Sequence, residues 1–299
     1  MIGIHVSLVS KVLDSKKSRK NMLTAIKDDL DTLDLYTAQI FTHGPRNRKE
    51  NNIDYEAIKN YCIEKNIYLV VHSSYPTIAI WSVNNNNKNS STSKINIDHL
   101  SAQLSLCQQL HAKGLVVHLP HTSPDSINET LNILNHIIKK YQVPILLEIE
   151  PNNISYGIPE KLNELCQVIN LPSKLWGICI DTSHMWASNI DISSIKNVMT
   201  WFKSFKFHQK ISLLHLNGAF SRLGVLHDKH AVAFSKEDKI WSKYITTYDN
   251  PDLELVKQSG AYLFIKFCKK NHVPIICEIN RGSQNEVKFL LNLIEQFIF

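Results

Sequence analysis

Eight short apolar runs recur along the chain, and their spacing constrains the fold more than any other feature. They are Ile2–Val6, Ala38–Phe41, Ile67–Val71, Leu115–Leu119, Pro144–Ile149, Trp176–Ile180, Ile211–Leu216 and Pro274–Ile279. Each has the length of a buried parallel strand that is apolar on both faces. Stretches with helical spacing separate them, such as Ala102–Ala112, with leucines at 104, 106 and 110, and Glu286–Phe297. Eight strands alternating with helices predict an α/β fold, a closed (β/α)8 TIM-type barrel built as one domain over residues 1–299. An open doubly wound sheet is the alternative, but no glycine-rich phosphate loop follows the first strand.

What ends the strands is as informative as their number. IYLVV runs into His72, GLVV into His118, PILL into Glu148, WGICI into Asp181, ISLL into His215 and VPIIC into Glu278. In a parallel barrel all strand C-termini open on one face, so these side chains converge on one pocket. Asp181-Thr-Ser-His184 starts at a strand end and turns, which lets carboxylate and imidazole face the same pocket. Asp228-Lys-His230 has i, i+2 spacing, and extended backbone places both side chains on one side. These nine residues form a nitrogen and oxygen donor set without thiolate. That set suits zinc, with manganese or iron(II) as substitutes, and disfavours magnesium. Nine donors exceed what one tetrahedral ion can use; with a bridging carboxylate they suffice for two or three ions, an arrangement that hydrolyses phosphodiesters. Glu150 shares strand parity with Glu148, and the register of VPILLE favours Glu148 as the ligand. Of the remaining histidines, His5 and His121 stand beside strand ends; the rest read as surface or structural.

Charge and cysteines narrow the setting. A net charge of +6 permits a polyanionic partner without identifying one. Six cysteines lie scattered with no C-x-x-C pair, which argues against a zinc ribbon or a disulfide scaffold and for a reducing, intracellular compartment. No apolar run approaches the roughly 20 residues of a membrane span, and the first residues read as a strand rather than a signal peptide. Asn84–Ser93 is polar and low in complexity, and reads as a loop insertion. Lys16–Lys20 reads as a solvated helix face.

At these residues the chain resembles the endonuclease IV family of apurinic/apyrimidinic endonucleases, AP endonuclease family 2, including the compact versions of large DNA viruses. The matching segments are GIHVS (3–7), QIFTHGPRN (39–47), VVHSSY (70–75), LVVHLP (115–120), ILLE (145–148), ICIDTSH (178–184), LLHLNGA (213–219), HDKH (227–230) and IICEIN (275–280). They occur in the family's order across nearly the whole chain. The resemblance implies a monomeric, three-zinc barrel that acts on double-stranded DNA in base excision repair. It implies a hydrolytic cut 5′ to an abasic site, leaving a 3′-hydroxyl and a 5′-deoxyribose phosphate. It assigns His72 and His118 to the first ion, Asp181, His215 and Glu278 to the second, and Glu148 as the catalytic bridge between them. His184, Asp228 and His230 hold the third. Arg46 and Tyr75 match residues that probe the DNA at the lesion, and Lys229 stands at a phosphate contact. The chain departs from the family at Gly218, where an aspartate is usual. It departs again at Lys229, where an arginine is usual, and in AVAFSKED, which replaces a glycine-rich stretch. Two rival functions are a metal-dependent sugar isomerase or epimerase on the same barrel and a non-catalytic abasic-site binder. The third ligand group counts against the first, and the complete ligand set against the second.

Overall fold

The computed structural model describes residues 1–7, 21–51, 53–152, 155–226, 229–279 and 284–298. Asp228 and Lys16–Lys20 therefore lie outside the described residues. All eight expected strands form, with ends within two residues of the expected bounds: β1 Ile2–Val6, β2 Thr37–Phe41, β3 Tyr68–His72, β4 Leu115–His118, β5 Ile145–Glu148, β6 Trp176–Asp181, β7 Ile211–His215 and, after a two-stranded hairpin, β10 Ile275–Cys277. Parallel pairing runs from β1 through β2 to β7 and then β10, which returns to β1 and closes the barrel. The hairpin, β8 Gly218–Ala219 and β9 His230–Ala231, pairs antiparallel above the mouth. Its two-residue strands are too short to show any sequence period.

Strand parity explains why the mouth is polar over a dry interior. Val70, Val116, Leu146, Cys179, Leu213 and Ile276 form a compact buried cluster. Each lies two residues before one of the six strand-end candidates, and alternate residues of a strand share a face. Each strand thus contributes one apolar residue to the plug and one donor above it.

The surrounding helices follow local rules. In α4 (Pro124–Tyr141), the Ser123 side chain caps the first turn, proline stands at its start, Asp125 lies in the first turn and Lys139 and Lys140 in the last. Each choice suits the helix end it occupies. The helix expected from Ala102 begins earlier, so that α3 spans Ser91–Gln109. Its buried residues Asn96, His99 and Gln103 bond to a rim segment, the 3-10 helix Tyr75–Ser82 and its cap Ser74, and buried Ser93 bonds to Asn87. A polar buried face hides the helical period that apolar residues would reveal. The asparagine-rich stretch is a closed turn: Asn84 Oδ1 accepts from the Asn86 and Asn87 amides, and Asn85 donates twice to Glu129 of α4. Ser91–Ser93 already belong to α3. No helix among the described residues is long and apolar enough to cross a membrane.

Candidate metal centre

Eight of the nine expected ligands are described, and the barrel brings all eight together. Four groups of donors result, each with its donor atoms within 4.8 Å of one another: His72, His118 and Glu148; Glu148, Asp181, His215 and Glu278; Asp181, His184 and His230; and Glu148, Cys179 and His215. In the last, the Cys179 thiol belongs to the apolar plug and is pushed up to about 12 by burial. Glu148 is fully buried and shared by the first two. Its Oε2 lies 3.0 Å from His72 Nε2 and 2.9 Å from His118 Nε2, while Oε1 lies 2.8 Å from His215 Nδ1. Glu278 stands one residue past β10. His184 reaches the pocket because Asp181 ends β6 and caps the next helix, α6 (Thr182–Ala187), accepting the His184 amide at 2.9 Å. The β8–β9 hairpin carries His230 over the mouth.

The outer ring nitrogens decide what the inner ones offer. His72 Nδ1 donates to the Ser73 carbonyl at 2.8 Å, His184 Nδ1 to the Ile149 carbonyl at 2.7 Å, and His118 Nδ1 to the Glu150 carboxylate. Each partner accepts a proton, so the inward Nε2 of all three carries a lone pair. The inward nitrogens of His72 and His118 lie 3.2 Å apart, both against a carboxylate oxygen, and those of His184 and His230 lie 3.3 Å apart. The lone pairs of His72 and His118, meeting at this distance, repel unless a cation sits among them. Outer acceptors that orient inner donors are the usual surroundings of metal-bound imidazole. The residues fit zinc: nitrogen and oxygen donors, three to four per group, with orientation fixed from behind.

Electrostatics agree. Burial alone would neutralise every group here. Against that penalty His118 and His215 hold the Glu148 carboxyl well below the usual carboxylate range. Against burial, Cys179, Glu278 and Glu148 hold His215 well above the usual histidine value, so a proton occupies Nδ1 until a cation displaces it. Burial drives His5 down to about 4, so it stays neutral.

Sequence reasoning leaves several contributors unnamed. Glu150, weighed there only as an alternative ligand, stands behind His118 instead of in the centre. Asn217 donates to Asp181 Oδ2 at 2.7 Å and to Glu278 Oε2 at 3.2 Å. Gln39, in the middle of β2, is fully buried against His5, His215 and Glu278. A polar residue inside the apolar run TAQIF is the signal that could have found it, since buried amides need partners. His121 is exposed. Arg46 and Lys229 are exposed as well, and Tyr75 stands at the rim, its ring edge-on to His118 at 5.5 Å between centroids. The Tyr75 amide donates to the Pro45 carbonyl at 2.8 Å, which ties the two rim segments together.

Gly218 also has a structural reason. A Cβ there would lie 2.6 Å from the Asp238 carboxyl carbon. Asp238 is fully buried and accepts four backbone amides: Ala219 and Ile240 on Oδ1, Phe234 and Trp241 on Oδ2. It pins the segment after β7 that carries His230. Asp238→Asn turns an NH2 toward two of those amides. Leaving buried donors unmatched costs about 3 kcal/mol, and thermal unfolding at neutral pH should show the loss. Burial raises the Asp238 carboxyl from 3.8 to about 6. Between about pH 4 and pH 6 the native chain therefore binds a proton there that the unfolded chain has lost. Stability from this group is present below pH 4 and is lost as pH rises through about 6. The asparagine variant should lack that slope.

Comparison with known proteins follows the same lines. The family model described as xylose isomerase-like TIM barrel matches residues 28–238. A protein of African swine fever virus, from a tick isolate of Malawi, named as a probable AP endonuclease, is 30% identical over 281 residues, covering 88% of this chain and 86% of the relative. A crystal structure described as AsfvAP:AG is 26% identical and covers 100% of this chain and 99% of its own, with a TM-score of 0.80. Endonuclease IV from Thermus thermophilus has the same fold, with a TM-score of 0.68 at 19% identity over 99% of this chain and 98% of its own.

Proposed function

Because the chain belongs to the AP endonuclease family of xylose isomerase-like TIM barrels, we propose that it is a DNA-repair endonuclease. In this reading it hydrolyses the phosphodiester 5′ to abasic sites in double-stranded DNA and works with three zinc ions. The observation that carries the reading is the third donor group, His184 and His230 beside Asp181, added to two groups that share Glu148. An enzyme for a small sugar needs one or two ions; phosphodiester hydrolysis has an attacking water oxygen, a leaving ester oxygen and two non-bridging oxygens to stabilise. His72 and His118 would hold the first ion, Asp181, His215 and Glu278 the second, Glu148 both, and His184, His230 and Asp228 the third. Bound zinc supplies Lewis acidity, which activates water near neutral pH and offsets charge on the phosphate.

The chain's own residues do the rest. Glu148 presents one oxygen to each of two donor groups and so fixes their separation. The apolar plug beneath keeps water out and lowers the local dielectric, which strengthens every charge interaction above it. Glu150, the Ser73 carbonyl and the Ile149 carbonyl hold the imidazoles in the ligating tautomer. Arg46 and Tyr75 sense the DNA from the rim, and Lys229 meets phosphate as a point charge. A site without a base is cheap to kink and extrude, so a tight pocket selects it by shape.

The deciding experiment uses a duplex with one tetrahydrofuran abasic analogue. The expected product is a strand cut on the 5′ side with an extendable 3′-hydroxyl, formed by protein carrying about three zinc ions. A β-elimination product, or a cut on the 3′ side, would overturn the proposal. Tyr75→Ala tests recognition. Base stacking is worth about 1–3 kcal/mol, so abasic duplex should bind roughly tenfold more weakly, while intact duplex keeps its affinity and salt dependence. Arg46→Ala should likewise lose affinity mainly at the lesion. Equal losses on intact and abasic duplex would remove the rim from recognition.

A further inference from the structure

We propose that Gln39 is a positioning residue for the second ion, a single amide that sets the tautomer of His215 and the rotamer of Glu278 together. The inference rests on the metal-site reading above. Gln39 comes from β2, whose end carries no ligand, and pairs in register with Val70 of the apolar plug. It is therefore a buried amide at the edge of the apolar layer, beside Val70 in β3 and beside His5 in β1.

Its hydrogen bonds leave little choice. Nε2 donates to Glu278 Oε1 at 2.7 Å and to His5 Nδ1 at 2.9 Å, and Oε1 faces His215 Nε2 at 2.9 Å. A flipped amide would set its oxygen against the Glu278 carboxylate, acceptor against acceptor. The carboxylate thus fixes the amide, and the amide oxygen demands a proton on His215 Nε2. That leaves Nδ1 to offer the lone pair of His215 once a cation displaces its proton; Nδ1 faces Glu148 at 2.8 Å, Glu278 at 3.5 Å and Asp181 at 3.7 Å. Only an amide supplies an acceptor and two donors at one position; a carboxylate has no donor, and a hydrocarbon has neither. Neutral His5 completes the arrangement by accepting the second amide proton. One side chain thus orients two ligands that lie 176 and 239 residues away in sequence.

The test uses two variants of the full chain. Gln39→Glu keeps shape and the acceptor for His215 but places like charge beside Glu278. Gln39→Leu keeps bulk and removes both functions. Zinc is titrated in competition with a chromophoric chelator, and unfolding is followed with and without zinc. Groups behind metal ligands typically contribute about 10- to 100-fold in affinity. In both variants one zinc equivalent should weaken by that factor while the others keep their wild-type affinity. Zinc should raise the unfolding temperature less than in the wild type, and excess zinc should restore incision. Wild-type zinc affinity in a folded Gln39→Leu or Gln39→Glu chain would overturn the inference. So would equal weakening of every equivalent, which is the mark of general disruption. A wild-type chain that binds no zinc would overturn the metal-site reading and this inference with it.

Discussion

Glu148→Ala is expected to abolish incision while the barrel stays folded. Glu148 is the only described residue that meets both His72 and His118 through one oxygen and His215 through the other. With the proposed metal centre, its loss removes a ligand from two ions at once. A Lewis-acid metal supplies several kcal/mol of charge stabilisation, and each 1.36 kcal/mol is tenfold in rate, so incision should fall by about 10³-fold or more. The plug of Val70, Val116, Leu146, Cys179, Leu213 and Ile276 lies below the substitution and remains intact. Far-ultraviolet circular dichroism should thus be unchanged. Glu150→Ala is the matching control: Glu150 holds the far side of His118, so its loss should weaken metal binding by about 10- to 100-fold and be rescued by added zinc. If Glu150→Ala proves the dead variant and Glu148→Ala the rescuable one, the bridge between the ions is Glu150.

Removing the metal is expected to have the second large effect. A strong chelator should end incision, and zinc should restore it. The same treatment should lower the unfolding temperature, because a ligand that binds only the folded chain stabilises it by RT ln(1 + [L]/Kd), about 4 kcal/mol per ion at a thousandfold excess over Kd. Ligands must shed protons to bind, so chelation should be easier in mild acid and harder as pH rises. Calorimetry of the zinc-loaded and chelated protein checks both statements. Full incision in the chelated protein, with zinc verified absent, would remove metal from the mechanism.

The convergence of the donor residues was legible in the sequence for a geometric reason. A strand's C-terminus in a parallel barrel has only one place to point, so a metal-binding residue at the end of an apolar run locates itself. His72, His118, Glu148, Asp181, His215 and Glu278 all obey that rule. His184 was reachable through the short turn that follows β6. Gln39 carried a mark, as a polar residue in an apolar run, but its partners did not, because barrel closure sets them by bringing β2 near β7 and β10. Glu150 and Glu148 share a face of their strand, and only the packed register separates ligand from support. The early start of α3 escaped because its buried first half is polar, and periodicity counts apolar residues. Arg46 and Tyr75 were named by resemblance, and the rim hydrogen bond that joins their segments had no sequence signal.

Gly218 and Asp238 carry a consequence for how such a chain changes over time. Restoring an aspartate at 218, as the resemblance would suggest, drives a carboxylate into the space that the Asp238 carboxylate already fills. Removing Asp238 first strands the four amides that it gathers. Each single step passes through a less fit intermediate, so the pair behaves as a ratchet. Residues 218 and 238 can therefore be exchanged only together.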